Sequence, residues 1–294
     1  MRTRTLRRPQ TELHIVEDGD PANPAILFLH GFPDCHDLWL PHMQALSSDY
    51  HVIGFDMRGA GQSTPPARAE GYRIPCLLED IDAVITATRG GEGTAHLVGH
   101  DWGSIIGWSF VADPVYGRRA ESWTSLSGPH LGAAAEWVRN GILKGGGDRK
   151  PALNQVLHSW YMLALNVPGL GQAVFSTVGT PVYRAALTLG GVPADHPHLA
   201  RSRDEVTRLT RHTFQLYRQN ALSPPPTPRP GSIRTPSQIL ILEEDAFATP
   251  AVCEAMTRYC QQVSCKRLAA NHWAPVTHPE WIQERIRGLV ASLH

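Results

Sequence analysis

The chain has 294 residues, 42% apolar and 18% charged, with 27 basic and 27 acidic side chains. That length suits one large α/β domain or one domain with an insertion, and the even charge balance gives no global field toward nucleic acid or an acidic surface. Five scattered cysteines without a CxxC pair predict neither a disulfide framework nor a zinc site; reduced thiols fit a cytoplasmic protein, and no run of about 18 apolar residues is present to span a membrane.

In chain order, Arg2, Arg4, Arg7 and Arg8 read as a short basic tip, a solvated and partly disordered tail. No apolar stretch follows them, so a secretory leader is not expected. Residues 25–30, 51–56, 95–99 and 122–126 read as buried strands, and 36–46, 74–88 and 104–112 as helices between them. Continuous apolar strands alternating with helices predict a parallel sheet covered on both faces. From Gly128 to about Pro230 strand character disappears, and helical periodicity appears at 152–165, 181–189 and 203–220. The proline-rich stretch 223–230 reads as a stiff extended linker. A strand at 238–242, a helix at 250–262, a strand at 263–268 and a helix at 280–293 follow. The expected organisation is an α/β core made of residues 1–128 and 231–294, interrupted by a helical cap at 129–230.

The chemistry concentrates at Gly99-His-Asp-Trp-Gly-Ser104, where an apolar strand gives way to a helix. Gly99 and Gly103 stand two residues either side of Asp101. Small-x-nucleophile-x-small is the spacing of the sharp strand-to-helix elbow of α/β-hydrolases, here with Asp where many carry Ser. The bend predicts strained backbone angles at Asp101 and no room for bulky neighbours. Upstream, His30-Gly-Phe-Pro33 directly follows a strand, and a glycine there suits a loop whose N–H groups face an anion. Phe32 N–H and Trp102 N–H are the expected oxyanion hole. Asp56-Met-Arg-Gly-Ala-Gly-Gln-Ser63 supplies another glycine-rich turn after the next strand.

Together HGFPD, DMRGAGQS and GHDWGS, in this order and spacing, resemble the epoxide hydrolase branch of the α/β-hydrolase superfamily, from about residue 12 to residue 290. The resemblance implies an α/β-hydrolase fold: a mostly parallel central sheet, helices on both faces and an inserted helical cap. It also implies the chain order nucleophile, acid, histidine. Asp245, past the strand at 238–242, matches the acid position, with Glu243 and Glu244 as neighbouring competitors. His272, in Asn271-His-Trp273, matches the base, its imidazole fixed by the acid. Tyr161 and Tyr217 resemble the family's pair of ring-opening tyrosines; Tyr183 is a spare. His30 and His100 are expected to pack or hydrogen-bond near the site without transferring protons.

An aspartate nucleophile changes the reaction. A carboxylate attacks a saturated carbon well and an acyl carbon poorly, since an anhydride would result, so Asp101 points to epoxide opening or halide displacement. The product is an alkyl ester of Asp101, which water activated by His272 then hydrolyses at the oxyanion hole. An epoxide leaves as an alkoxide and needs a general acid, and a phenol with a pKa near 10 supplies one. Halide displacement needs only N–H donors. A haloalkane or haloacid dehalogenase is therefore the second reading, although Phe32 stands where an Asn is expected and Trp102 where fluoroacetate dehalogenases carry Arg. A hydrolase-fold ligand-binding protein with little turnover is the reading from another class. Ser104 falls inside the helix beyond the elbow, which disfavours a serine esterase.

The substrate is expected to be a hydrophobic epoxide held between cap and core. Trp39, Trp160 and Trp273 are the expected substrate contacts, with Trp102, Trp137, Met162, Leu163, Leu165, Phe175 and Phe214 as further apolar candidates. No cofactor, metal or nucleic-acid partner is expected. A homodimer is compatible with the fold.

Overall fold

The computed structural model describes residues 1–144, 149–167 and 169–293. All six predicted strands form, and two more precede them: β1 (Arg2–Arg8), β2 (Thr11–Asp18), β3 (Ala25–Leu29), β4 (His51–Phe55), β5 (Ala95–His100), β6 (Ala120–Leu126), β7 (Ser237–Leu242) and β8 (Val263–Leu268). They build one sheet in the order β1-β2-β4-β3-β5-β6-β7-β8. β1 and β2 are antiparallel, as are β2 and β4, and the remaining neighbours run parallel.

The basic tip is not a disordered tail. It forms β1, paired residue by residue with β2 from Arg2↔Glu17 to Arg8↔Thr11. Leu13 and Ile15 of β2 are buried in the core, which fixes the face the strand presents, and ion pairs cross the ladder, with Arg4 Nε 2.9 Å from Glu17 Oε1 and Arg7 Nε 3.2 Å from Glu12 Oε1. β1 is charged and exposed, and the buried residues of β2, Leu13, Ile15 and Val16, are interspersed with polar ones, so the continuous apolar run that marks the other strands is missing here.

Side chains alternate across each strand. Along β3, Leu27 and Leu29 join one buried cluster, with Ile53, Phe55, Leu97 and Trp123. Ile26 and Phe28 join a second, with Val52, Val98, Leu126 and Leu240. Helices α1 (Leu40–Leu46), α2 (Ile74–Arg89) and α3 (Trp102–Ala112) follow the early strands. Ile81, Val84, Ile106 and Phe110 of α2 and α3 seal the first cluster, and Met43 and Leu46 of α1 seal the second.

Between β6 and β7 the described residues form helices α4 (Leu131–Lys144), α5 (Arg149–His158), α6 (Trp160–Asn166), α7 (Leu170–Thr177), α8 (Gly179–Leu189), α9 (Arg203–Thr210) and α10 (Gln215–Asn220), with no strand. Two predicted helices are each split. Ser159 (φ −102°, ψ 4°) separates α5 from α6, and a turn at 211–214 separates α9 from α10. α4 and α7 were not expected, because glycine and small residues dilute their apolar period. The predicted helix at 250–262 is shorter, α11 (Pro250–Glu254) with a 3₁₀ turn over Ala255–Tyr259. α12 (Ala274–Thr277) and α13 (Pro279–Ala291) close the chain, and Ile282 and Ile286 of α13 join the second cluster.

The C-terminal ends of the parallel strands lie on one edge, where open α/β sheets bind ligands. β3 leads into His30-Gly31-Phe32, β5 into Asp101, β6 into Ser127, β7 into Asp245 and β8 into His272. Topology alone thus gathers residues spread over most of the chain.

Candidate active site

Asp101 sits on the bend between β5 and α3 with φ 52° and ψ −121°, a conformation uncommon for residues other than glycine. Close packing around the bend requires the small neighbours. A Cβ on Gly103 would lie 2.2 Å from the Leu29 carbonyl oxygen, and one on Gly99 2.6 Å from that of Gly103. One on Gly31 would meet the Asp101 Cβ at 2.4 Å.

Phe32 N–H donates to Asp101 Oδ1 at 2.7 Å, and Trp102 N–H also acts on this carboxylate. The other oxygen, Oδ2, lies 3.7 Å from His272 Nε2. That separation exceeds a direct hydrogen bond. On the far side of the imidazole, Nδ1 is 3.2 Å from both carboxylate oxygens of Asp245. Asp245 is buried, whereas Glu243 and Glu244 are exposed, so geometry removes the two competing acids.

Burial pushes the Asp101 carboxyl up to about 6, although the His272 charge and the two N–H groups favour its anion. At Asp245 burial also acts to raise the pKa, but His272, the Ser127 hydroxyl and the Phe247 N–H outweigh it, and the carboxyl is held below its ordinary value. For His272, burial is overcome by the charge and hydrogen bond of Asp245 and then by Asp101, so its pKa is raised. Burial and the nearby His272 charge drop His100 to about 3, leaving it a neutral group paired with the His272 carbonyl through Nε2 at 2.8 Å. His30 is lowered by burial, and its Nε2 accepts from Met57 N–H. Ser104 lies inside α3, its hydroxyl donating to the Gly128 carbonyl.

Tyr161 in α6 and Tyr217 in α10 meet above Asp101, with ring centroids 5.8 Å apart. Both phenols are pushed up by burial; the Asp101 charge pushes in the same direction, so both stay protonated across the physiological range. Asp101 and Tyr161 line a common cavity of about 270 Å³, walled by Leu131, Met162, Phe247 and Val252. Tyr183 lies elsewhere, buried against Arg201.

The three expected tryptophan contacts lie outside this cavity. Trp39 is fully buried in the second core cluster, its ring 5.0 Å from Phe28. Trp160 is 68% exposed on the outer side of its helix. Trp273 packs against His272, and its indole N–H donates to Asp34 Oδ2 at 3.1 Å. Of the further apolar candidates, Met162 and Leu163 line the cavity. An indole predicted on a helix has no assigned direction until its neighbours are packed.

Three other residues bear on the site without a strong sequence signal. Ser127, at the end of β6 with φ 54°, donates its hydroxyl to Asp245 Oδ2. Phe247 packs edge-on against His272, with ring centroids 4.6 Å apart, and walls the cavity. Gln155, a polar residue on the buried side of α5, donates to the Phe247 carbonyl at 2.9 Å and accepts from Thr249 N–H at 2.9 Å. It ties the inserted helices to the loop that carries the acid.

Tertiary folding also gathers two groups of possible metal donors, His14–His36–Asp56 and Cys35–His36–Asp37, that sequence spacing does not reveal. Hydrogen bonds account for them. Asp56 Oδ1 accepts from His36 Nδ1 at 2.7 Å and Oδ2 from Gln62 N–H at 2.8 Å, while Arg201 lies 3.5 Å from Asp37 and opposes a cation there.

A family profile described as "alpha/beta hydrolase fold" matches residues 24–142. A Bacillus megaterium epoxide hydrolase, solved with an inhibitor, superposes with a TM-score of 0.78 at 24% identity, covering 98% of this chain and all of that one. The chain has the α/β-hydrolase fold. Among curated relatives of this chain, a protein called "Probable oxidoreductase EphD" from Mycobacterium tuberculosis is 26% identical over 90% of this chain. The chain spans 45% of that relative's length. "Epoxide hydrolase 3" of Mus musculus is 27% identical over 96% of this chain and 74% of its own.

Proposed function

We propose that the protein is an epoxide hydrolase, converting a small hydrophobic epoxide and water to a vicinal diol. The observation that carries this reading is the meeting of two phenols, the partly buried Tyr161 and the buried Tyr217, beside a carboxylate at a nucleophile bend that helps keep both protonated. A carboxylate and a phenol pair is what epoxide opening needs and what halide displacement does not.

In this mechanism Asp101 Oδ2 attacks an epoxide carbon while Oδ1 stays on the Phe32 N–H. The carbon–oxygen bond of the ring breaks, and a phenol gives its proton to the departing oxygen, leaving an alkyl ester of Asp101. His272 Nε2 then removes a proton from water, which adds to the Asp101 carboxyl carbon. The Phe32 and Trp102 N–H groups hold the resulting oxyanion. Collapse breaks the bond to the alkyl oxygen, which takes the proton from His272 as the diol leaves; the water's second proton, left on the regenerated Asp101 carboxyl, returns to the phenolate, so both groups are restored. Asp245 orients the imidazole and stabilises its charged form. The cavity is smaller than the about 300 Å³ at which pockets for drug-sized ligands begin, which favours aryl or short-chain epoxides over long ones. The helices between β6 and β7 act as the cap, and five free cysteines support a cytoplasmic setting.

A single turnover in heavy-oxygen water tests the covalent route. The first diol should carry an unlabelled oxygen taken from Asp101, and the label should appear in the Asp101 peptide by mass spectrometry. Label in that first diol, with an unlabelled peptide, would sink the mechanism. The pH dependence gives a second check. Attack requires the Asp101 anion, so ester formation in single-turnover kinetics should fall about tenfold per unit below about pH 6 and level off above it. A flat profile from pH 5 to 8 is incompatible with a carboxylate nucleophile in this environment.

A further inference from the structure

The inserted helices carry an apolar face that the fold leaves uncovered. Residues 151–183 contain no Asp, Glu, Lys or Arg, yet α5 and α6 lie at the surface with their polarity reversed. Gln155 is buried, whereas Leu153, Val156, Leu157, Trp160, Leu163 and Val167 are 44, 43, 71, 68, 62 and 51% exposed. Spacings of three, four and seven residues place these side chains on one stripe of each helix. Isolated exposed leucines are ordinary; a continuous stripe of this kind marks an interaction surface.

Two observations define its partner. Basic residues flank the stripe: Arg139 and Lys144 of α4 and Arg149 and Lys150 of α5 are exposed, and none forms an ion pair among the described residues. The one acid of α4, Glu136, is only partly exposed and acts on Tyr259. A twofold contact with a second copy would bring this basic rim against itself, whereas anionic headgroups complement it. Val156 and Leu163 of the stripe also line the Asp101 cavity, so the stripe continues into the site.

We propose that the outer face of α5 and α6 docks on an anionic lipid surface, with the mouth of the Asp101 cavity turned toward the lipid. Trp160 and the leucines enter the headgroup boundary, and the four cations remain with the phosphates. An apolar epoxide dissolved in the membrane then reaches the cavity without crossing water; this last point rests on the proposed reaction, while the docking surface does not.

Co-sedimentation of the full chain with phosphatidylcholine vesicles containing phosphatidylglycerol tests the surface directly. The protein should pellet with these vesicles, less with phosphatidylcholine alone, and less again at high salt. Replacing Leu157→Glu and Trp160→Glu together should weaken partitioning by at least about tenfold. Neither side chain lines the cavity, so turnover of a water-soluble epoxide should persist. Protein that stays in the supernatant with anionic vesicles overturns the proposal. So does a dimer in sedimentation velocity that the double variant abolishes without any vesicle binding by the wild type. Vesicle binding by a protein that fails to hydrolyse any epoxide would support the surface and remove only the reaction.

Discussion

Asp101→Ala should abolish diol formation, with a loss of about 10⁴-fold or more in kcat. The two-step route depends on a covalent bond to this carboxylate, and no other acid lies at the bend to replace it. His272 sits 3.7 Å away with no direct bond to the carboxylate, so the imidazole and its Asp245 partner keep their own contacts in the variant. Inactivity should therefore not reflect collapse of the site. Stability supplies the control. A folded-state pKa of about 6 lies above the ordinary 3.8, so ionising Asp101 opposes folding. The wild type should lose stability relative to Asp101→Ala as pH rises from about 4 through about 6, and then hold a constant offset. Thermal melts at pH 4, 6 and 8 read this difference directly. Normal turnover by the variant would eliminate the covalent mechanism.

Changing both Tyr161 and Tyr217 to Phe should reduce epoxide opening by about 10²- to 10⁴-fold, the range of general acid catalysis. Without a proton the leaving group departs as a strong base, and the N–H groups of Phe32 and Trp102 are committed to Asp101. The two phenol rings pack edge to face 5.8 Å apart and both feel the Asp101 charge, so each single change should cost less than the pair. The loss should fall on ester formation, seen as slow single-turnover alkylation. Hydrolysis of an ester already formed should change little, because His272 and the oxyanion hole carry that step. Both rings pack in the first core cluster and Phe keeps that packing, so the fold should survive. Full activity in the double variant would mean a different proton donor.

Much of this site is legible before folding because its chemistry is local. Gly99, Asp101 and Gly103 lie within five residues, and the bend they form is set by sterics that act over that distance. The same holds for Gly31 and Phe32 after β3. Asp245 and His272 were placed by resemblance and chain order, and the competing Glu243 and Glu244 fell away only when the turn after β7 put one of three carboxylates inside. The tryptophans failed for the complementary reason. Trp39, Trp160 and Trp273 share a side chain that suits a pocket wall, a core and a surface equally well, and packing assigned them to a core, the solvent and a hydrogen bond with Asp34.

The sequence alone determined the alternation of buried strands with helices, the bend at residue 101 and the carboxylate that stands on it, because each is encoded in consecutive residues whose period or sterics act over a few ångströms. The β1–β2 hairpin was hidden, since β1 is charged and exposed and the buried residues of β2, Leu13, Ile15 and Val16, are interspersed with polar ones. Only the tertiary structure decided which residues wall the cavity, that Ser127, Phe247 and Gln155 support the acid loop, and that α5 and α6 turn their leucines outward. Each of these depends on the direction in which a side chain leaves its element, and that direction is fixed by contacts between segments far apart in the chain.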